Sequence, residues 1–271
     1  MTAGLFLGHL GLGDQILLTP AIYHFATTCG YNKLYVVVKA PYKATLQALL
    51  SEMPATAAEI CYLSIRATAS ITEELAEILA AMKTIDGSCQ PVNMHLSGQF
   101  NFHVKAPGDF PICFYNQLGV AWPAAVLRYI VPCTSKSSWL AGLLTYIPYI
   151  FIHDISSTCR IDSAGSEGTA LMSAVERCRD KYLLVNPEKN MYPVGHVLHR
   201  LAEQFIRAKN DLTLIDYKDV IENAAELHMI TSSYFCFAAG LLEVRTATKV
   251  AYSRNGDRFP TIAGDWTYVD I

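Results

Sequence analysis

Charge is scarce in this sequence and neither sign dominates. Only 17% of the 271 residues are charged, and the formal net charge is −3. A protein that grips a nucleic-acid backbone needs a basic stripe to displace counterions, so that class of partner is excluded. No C-x-x-C pair occurs among the eight cysteines, at positions 29, 61, 89, 113, 133, 159, 178 and 236. Their scatter argues against a zinc site and a disulfide framework, and predicts reduced, mostly buried thiols. An Asp-x-Asp triplet, which would chelate a metal beside phosphates, is missing too. The most apolar stretch, Trp139 to Ile152, has 14 residues and contains Pro148. A bilayer needs about 20 helical residues, so the stretch is too short to span, which leaves at most a weak membrane-surface contact or a homodimer. The N-terminus lacks a charged region followed by a cleavage site, so no secretory signal is expected and a cytoplasmic protein is.

What is present is alternation. Leu5 to Leu7, Leu34 to Val38, Glu59 to Ser64 and Val92 to Leu96 read as strands. Between them lie helical stretches from Ile16, from Tyr42 to Ser51, and from a Thr72 cap through Leu75, Ile78, Leu79 and Met82. Gly87 to Pro111 reads mostly as a long loop. Composition shifts between Val131 and Gly142, where a linker is expected. A second series follows, with strands at Tyr149–Ile152, Tyr182–Val185, Leu212–Ile215, Leu227–Thr231 and Thr248–Tyr252. Its helices are expected at 169–179, 194–208, 218–225 and 234–242. Such alternation predicts parallel sheets covered on both faces, in domains 1–135 and 145–271. The tail from Ser253 has no assignable pattern.

The first strand leads into Gly8-His9-Leu10-Gly11-Leu12-Gly13-Asp14-Gln15. The spacing Gly8-x4-Gly13 suggests a triphosphate loop, but Asp14-Gln15 stand where Lys and Ser/Thr are required. The dinucleotide fingerprint fails as well: Ile16 holds the third glycine position, and the next strand ends at Lys39 without an acid for a ribose. A tight strand-to-helix turn with no ligand is a further reading.

Gly11-x-Gly13-Asp14-x-Ile16-Leu17-x-Thr19-Pro20-Ala21 resembles the N-terminal signature of heptosyltransferase-like glycosyltransferases of the GT-B fold. The resemblance implies an α/β chain of two Rossmann-like domains facing a cleft, the first on the acceptor side and the second binding a nucleotide-sugar donor. It makes Gly11, Leu12 and Gly13 an acceptor-side loop and Asp14 the general base, with His9 next in line. Pro20 inside a helix costs about 3 kcal/mol, which predicts a kink or a late start. Phe114-Tyr115-x-Gln117-Leu118-Gly119 with Trp122 is similar to a segment of short glycosyltransferases from bacterial polysaccharide clusters and large DNA viruses; Gly119 also suits a helix C-cap. His95 and His103 are weaker candidates for the acceptor side.

The stretch from Ile221 to Tyr234 is similar to the donor-binding segment of these transferases. Physically, Thr231, Ser232 and Ser233 offer hydroxyls beside the start of the helix carrying Tyr234, a place suited to a diphosphate. One serine could equally cap that helix. Heptosyltransferases have Asp-Ser-Gly-Pro-x-His where this chain has Thr231-Ser232-Ser233-Tyr234, which opens the identity of the donor sugar. The resemblance also places His153, Asp154, Ser156, Ser157 and Arg160 beside the donor phosphates, with Asn186, Lys189 and Tyr217 on the same edge. It implies inverting, metal-independent transfer to a glycan or glycoprotein hydroxyl, with no cofactor besides the donor. The rivals are a nucleotide-sugar epimerase on the same scaffold and a non-catalytic nucleotide-sugar-binding relic.

Overall fold

The computed structural model describes residues 2–68, 70–85, 87, 90–101, 110–156, 160–161, 169–208, 211–253 and 258–271. The chain divides into two compact units, Met1–Pro132 and Cys133–Ile271.

The first unit is an open sheet in the order β3-β2-β1-β4, formed by β1 (Ala3–Leu7), β2 (Lys33–Lys39), β3 (Glu59–Ile65) and β4 (Pro91–Leu96). Every pairing is parallel. Val36, Val37 and Val38 are buried, as a β-branched strand covered on both faces should be. Helices α1 (Leu12–Thr28), α2 (Lys43–Ser51), α3 (Ile71–Met82), α4 (Phe110–Leu118) and α5 (Trp122–Arg128) complete the unit.

Three local expectations are corrected here. Helix α1 begins at Leu12, well before Pro20, so the late start is overturned. Burial of Ile16, Leu17, Leu18, Ala21 and Ile22 offsets the backbone bond that proline removes. The α3 cap is Ser70, not Thr72: Ser70 Oγ accepts the Glu73 N–H at 3.2 Å. The buried stripe of α3 is also rotated, with Glu74 and Ile78 inside while Leu75 and Leu79 are exposed. Gly119 follows α4 with φ +68, the left-handed conformation of a helix C-cap, and its N–H bonds the Asn116 carbonyl.

The second unit is a parallel sheet ordered β6-β5-β7-β8-β9, from β5 (Tyr149–His153), β6 (Leu183–Val185), β7 (Glu226–Ile230), β8 (Thr248–Ser253) and β9 (Thr267–Asp270). Its helices are α6 (Ser135–Gly142), α7 (Thr169–Arg179), α8 (His199–Ala208), α9 (Lys218–Glu222), α10 (Ser233–Leu241) and α11 (Pro260–Ala263). The stretch expected as linker is mostly α6. Thr134 caps it and also bonds Asp216 at 2.6 Å, tying α6 into this unit. Leu212–Ile215 is no strand. Thr213 and Asp216 form a reciprocal capping box there, which starts a 3-10 turn at Leu214–Tyr217. Helix α8 begins at His199, later than expected. The unassigned tail supplies α11 and β9, and β9 pairs with β8 in this same sheet.

Among the six described cysteines only Cys178 and Cys236 are buried, while Cys29 and Cys133 are exposed, so "mostly buried" does not hold; Cys89 and Cys159 lie outside the described residues. No described helix is long and apolar enough to cross a membrane.

Candidate functional site

Each unit gathers polar side chains at the carboxyl ends of its strands. In the first unit β1 ends at Leu7 and the chain passes through His9 to the N-cap of α1 at Gly11. Leu12 and Gly13 are already helical, so the turn is shorter than the glycines suggested. Gly11 has ordinary extended angles; its role is space. A Cβ there would lie 2.4 Å from Asp14 Oδ2 and 3.5 Å from His9 Nδ1. The missing side chain makes room for an ion pair, Asp14 with His9 Nδ1.

The imidazole is held on further sides. Its ring stacks on Phe114 of α4 at 5.9 Å and 19°. Gly98, at φ +66, packs under it, and a Cβ there would sit 2.8 Å from His9 Cβ. The Gly98 N–H bonds Gln117 Oε1 at 2.6 Å. Hydrogen bonding to Asp14 raises the His9 pKa above the usual histidine range; burial opposes this, the charges of Asp14 and Glu74 add to it, and Lys39 opposes it. Lys39, at the end of β2, pairs with Glu74 of α3, and Gln99 Nε2 donates to Glu74 Oε2 at 3.0 Å. Sequence reasoning missed this buried pair. Its one signal was Glu74 four residues before Ile78, on the stripe that faces the core.

Gly98→Ala is expected to lower stability by about 1–3 kcal/mol, since it forces a left-handed non-glycine backbone against His9. Urea denaturation measures it; an unchanged midpoint would show that the loop yields freely.

His95, a candidate for the acceptor side, is partly buried and engaged in packing. Its ring stacks on Phe25 at 3.8 Å and its Nε2 meets the Tyr31 hydroxyl at 2.8 Å, so it packs beneath α1. Burial lowers its pKa. His103 lies outside the described residues.

In the second unit β5 delivers His153 and Asp154, the residues after β6 include Asn186, Glu188 and Lys189, and β7 leads through Thr231 and Ser232 into α10. Asp154 is 1% exposed, accepts from Asn186 Nδ2 at 2.9 Å and pairs with Lys189 Nζ. Asn186 Oδ1 in turn accepts the Glu188 N–H at 2.8 Å and that of Lys189 at 3.3 Å, fixing the turn that carries both side chains. Ser232 occupies the N-cap position of α10 but makes no side-chain cap bond. Its Oγ lies 3.1 Å from His153 Nδ1 instead, and His153 Nε2 lies 4.0 Å from Glu188 Oε1. Tyr234 packs on His153 with ring centroids 4.2 Å apart and meets Tyr217 edge-on at 5.5 Å. Burial pushes both phenols up from the usual tyrosine range, so they remain neutral hydroxyls.

The structure thus joins His153, Asp154, Asn186, Lys189, Tyr217, Ser232 and Tyr234 through contacts. Ser233 opens α10 beside them, and Thr231 is held by its N–H to the Tyr252 carbonyl at 3.0 Å. Arg160 is exposed, bridged to Ile155 by backbone, and bonded to none of the cluster among the described residues. The half-buried Ser156 lies two residues past Asp154, and Ser157 is outside the described residues. No described group of three or more His, Cys, Asp or Glu is placed to hold a metal.

In open parallel α/β sheets ligands bind outside the carboxyl ends of the strands, which is where the polar turns of each unit lie. No protein-family model matches the sequence, and no curated protein does. Among solved structures, the chain is similar to the glycosyl transferase family 9 protein from Veillonella parvula, with a TM-score of 0.58 and 12% identity over 99% of this chain and 86% of that one. It is also similar to the E. coli ADP-heptose LPS heptosyltransferase II, with a TM-score of 0.54 and 12% identity over 99% of this chain and 90% of that one. The fold is that of these GT-B glycosyltransferases.

Proposed function

We propose that this protein is an inverting glycosyltransferase that moves a sugar from a nucleotide-diphosphate sugar to a hydroxyl of a glycan or glycoprotein without a metal. The observation that carries the reading is Ser232. A serine at a helix N-cap ordinarily bonds the first-turn N–H groups, whereas this one turns to His153 and leaves the start of α10 uncapped by it. Those N–H groups, the helix dipole, the Ser232 and Ser233 hydroxyls and the Lys189 ammonium together suit a diphosphate leaving group. Proton removal from the acceptor belongs to the Asp14–His9 pair of the first unit. A single displacement, with nucleoside diphosphate leaving opposite the attacking oxygen, inverts the anomeric carbon.

The test is binding of ADP, UDP and GDP to wild type and to the Ser232→Ala/Ser233→Ala variant. The variant is expected to fold and to lose about 1–3 kcal/mol of affinity for the nucleotide that wild type prefers, the range for a charged group short of hydrogen bonds. Lowered stability with unchanged affinity would leave the serines a structural role alone. Turnover is expected to persist in excess chelator; loss in chelator and rescue by magnesium or manganese would overturn metal independence.

A further inference from the structure

Resting on that reading, we propose that the acceptor proton goes to His9 Nε2, and that Asp14 is a positioning residue acting through the imidazole. The argument is geometric. Of the two side chains the imidazole is the more accessible, 36% exposed against 15% for the carboxylate. The carboxylate is turned inward, into the space that the absent side chain of Gly11 leaves. A carboxylate in contact with Nδ1 requires a proton on that nitrogen. The Gly11 N–H also points at Nδ1, but at 3.4 Å it is the weaker contact, and Asp14 decides the tautomer. The lone pair then sits on Nε2, to which nothing bonds among the described residues. Phe114 and Gly98 fix the ring plane from α4 and the loop after β4. This is a base oriented by an acid, in the order that nucleophile activation uses.

In the step, the acceptor O–H bond breaks and its proton moves to Nε2. The oxygen forms the new bond to the anomeric carbon, and the bond from that carbon to the phosphate oxygen breaks. The nucleoside diphosphate leaves with the electron pair. Asp14 stabilises the imidazolium, which returns its proton to solvent. Among the described residues the charged groups that act on the ring are Asp14 from α1, in contact with it, and Glu74 from α3 and Lys39 at the end of β2. The two acids favour the imidazolium and the lysine opposes it.

The experiment measures nucleoside diphosphate release from ADP-, UDP- and GDP-sugars, with mixed glycans as acceptors, across pH, for wild type, His9→Gln and Asp14→Asn. Wild-type turnover is expected to rise with pH through one ionisation above the ordinary histidine range, because the base must be neutral. His9→Gln is expected to lose about 10²–10⁴-fold and to lose that limb, while binding nucleoside diphosphate as wild type does. Asp14→Asn is expected to move the limb to lower pH, a change that a merely structural role would not produce. If His9→Gln keeps its rate within tenfold and only Asp14→Asn is inactive, Asp14 is itself the base and the proposal falls while the transferase reading stands. If wild type binds nucleoside diphosphates but turns over no donor, the transferase reading falls and takes the proposal with it. The ¹⁵N shifts of His9 in wild type give a check independent of variants: a proton on Nε2 with a bare Nδ1 would overturn the assignment.

Discussion

Asp14→Asn is expected to fold, to bind nucleoside diphosphate almost as wild type does, and to lose about two or more orders of magnitude in turnover. Asparagine keeps the shape that fills the space beside Gly11, so packing at the start of α1 survives. What changes is charge. The amide no longer holds a proton on Nδ1 nor stabilises an imidazolium, so the ring is free to take the wrong tautomer and is a weaker base. On the proposed reading the donor contacts lie in the second unit, so affinity for nucleotide should hardly change. Thermal denaturation, nucleotide titration and turnover separate the outcomes. If Asp14 only secures its own turn, stability falls and the rate stays near the parent value. A variant that folds, binds and transfers at the wild-type rate removes Asp14 from catalysis.

Much of the scaffold was legible because period and burial agree. Val36-Val37-Val38 reads as a strand covered on both faces and is one. The misreadings occur where a short polar pattern outweighs hydrophobicity. Leu212 to Ile215 looks like a strand by composition, yet the Thr213–Asp216 capping box satisfies backbone groups locally and winds a turn. In α3 the apolar residues at helical spacing pointed to a stripe through Leu75 and Leu79, but the ion pair with Lys39 draws Glu74 inward and turns those leucines out. The candidate site was legible in its residue types and only partly in its partners. Nothing in the order of residues 9 to 14 says that His9 and Asp14 pair, because that depends on how tightly the chain turns into α1. Likewise Ser232 reads as a cap until β5 brings His153 beside it, a neighbour 79 residues away in sequence. His95 shows the reverse: an isolated histidine near a strand end, taken into packing by aromatic residues from α1 and the turn before β2.

Replacing Lys189 alone is expected to cost more than replacing it together with its partner. Asp154 is 1% exposed, whereas the Lys189 side chain is 36% exposed, so the burden of burial falls on the carboxylate. Lys189→Met leaves that carboxylate without its cation, its other bond being from Asn186. Breaking a buried pair from one side costs about 3–5 kcal/mol, and with one partner reaching water a loss of about 2–4 kcal/mol is expected. Adding Asp154→Asn removes the stranded charge and keeps a side chain that can still accept from Asn186. The double variant should therefore recover part of the loss, a coupling of about 1 kcal/mol or more, within the range for residues in contact. Recovery of stability should not bring recovery of nucleotide affinity. If Lys189 meets the diphosphate, both variants bind ADP, UDP and GDP more weakly than wild type, because each lacks the same charged donor. Urea denaturation and nucleotide titration of wild type, the two single variants and the double variant measure both quantities on one set of proteins. A double variant with wild-type nucleotide affinity would confine Lys189 to holding Asp154 in place and leave the phosphate to the serines and the start of α10.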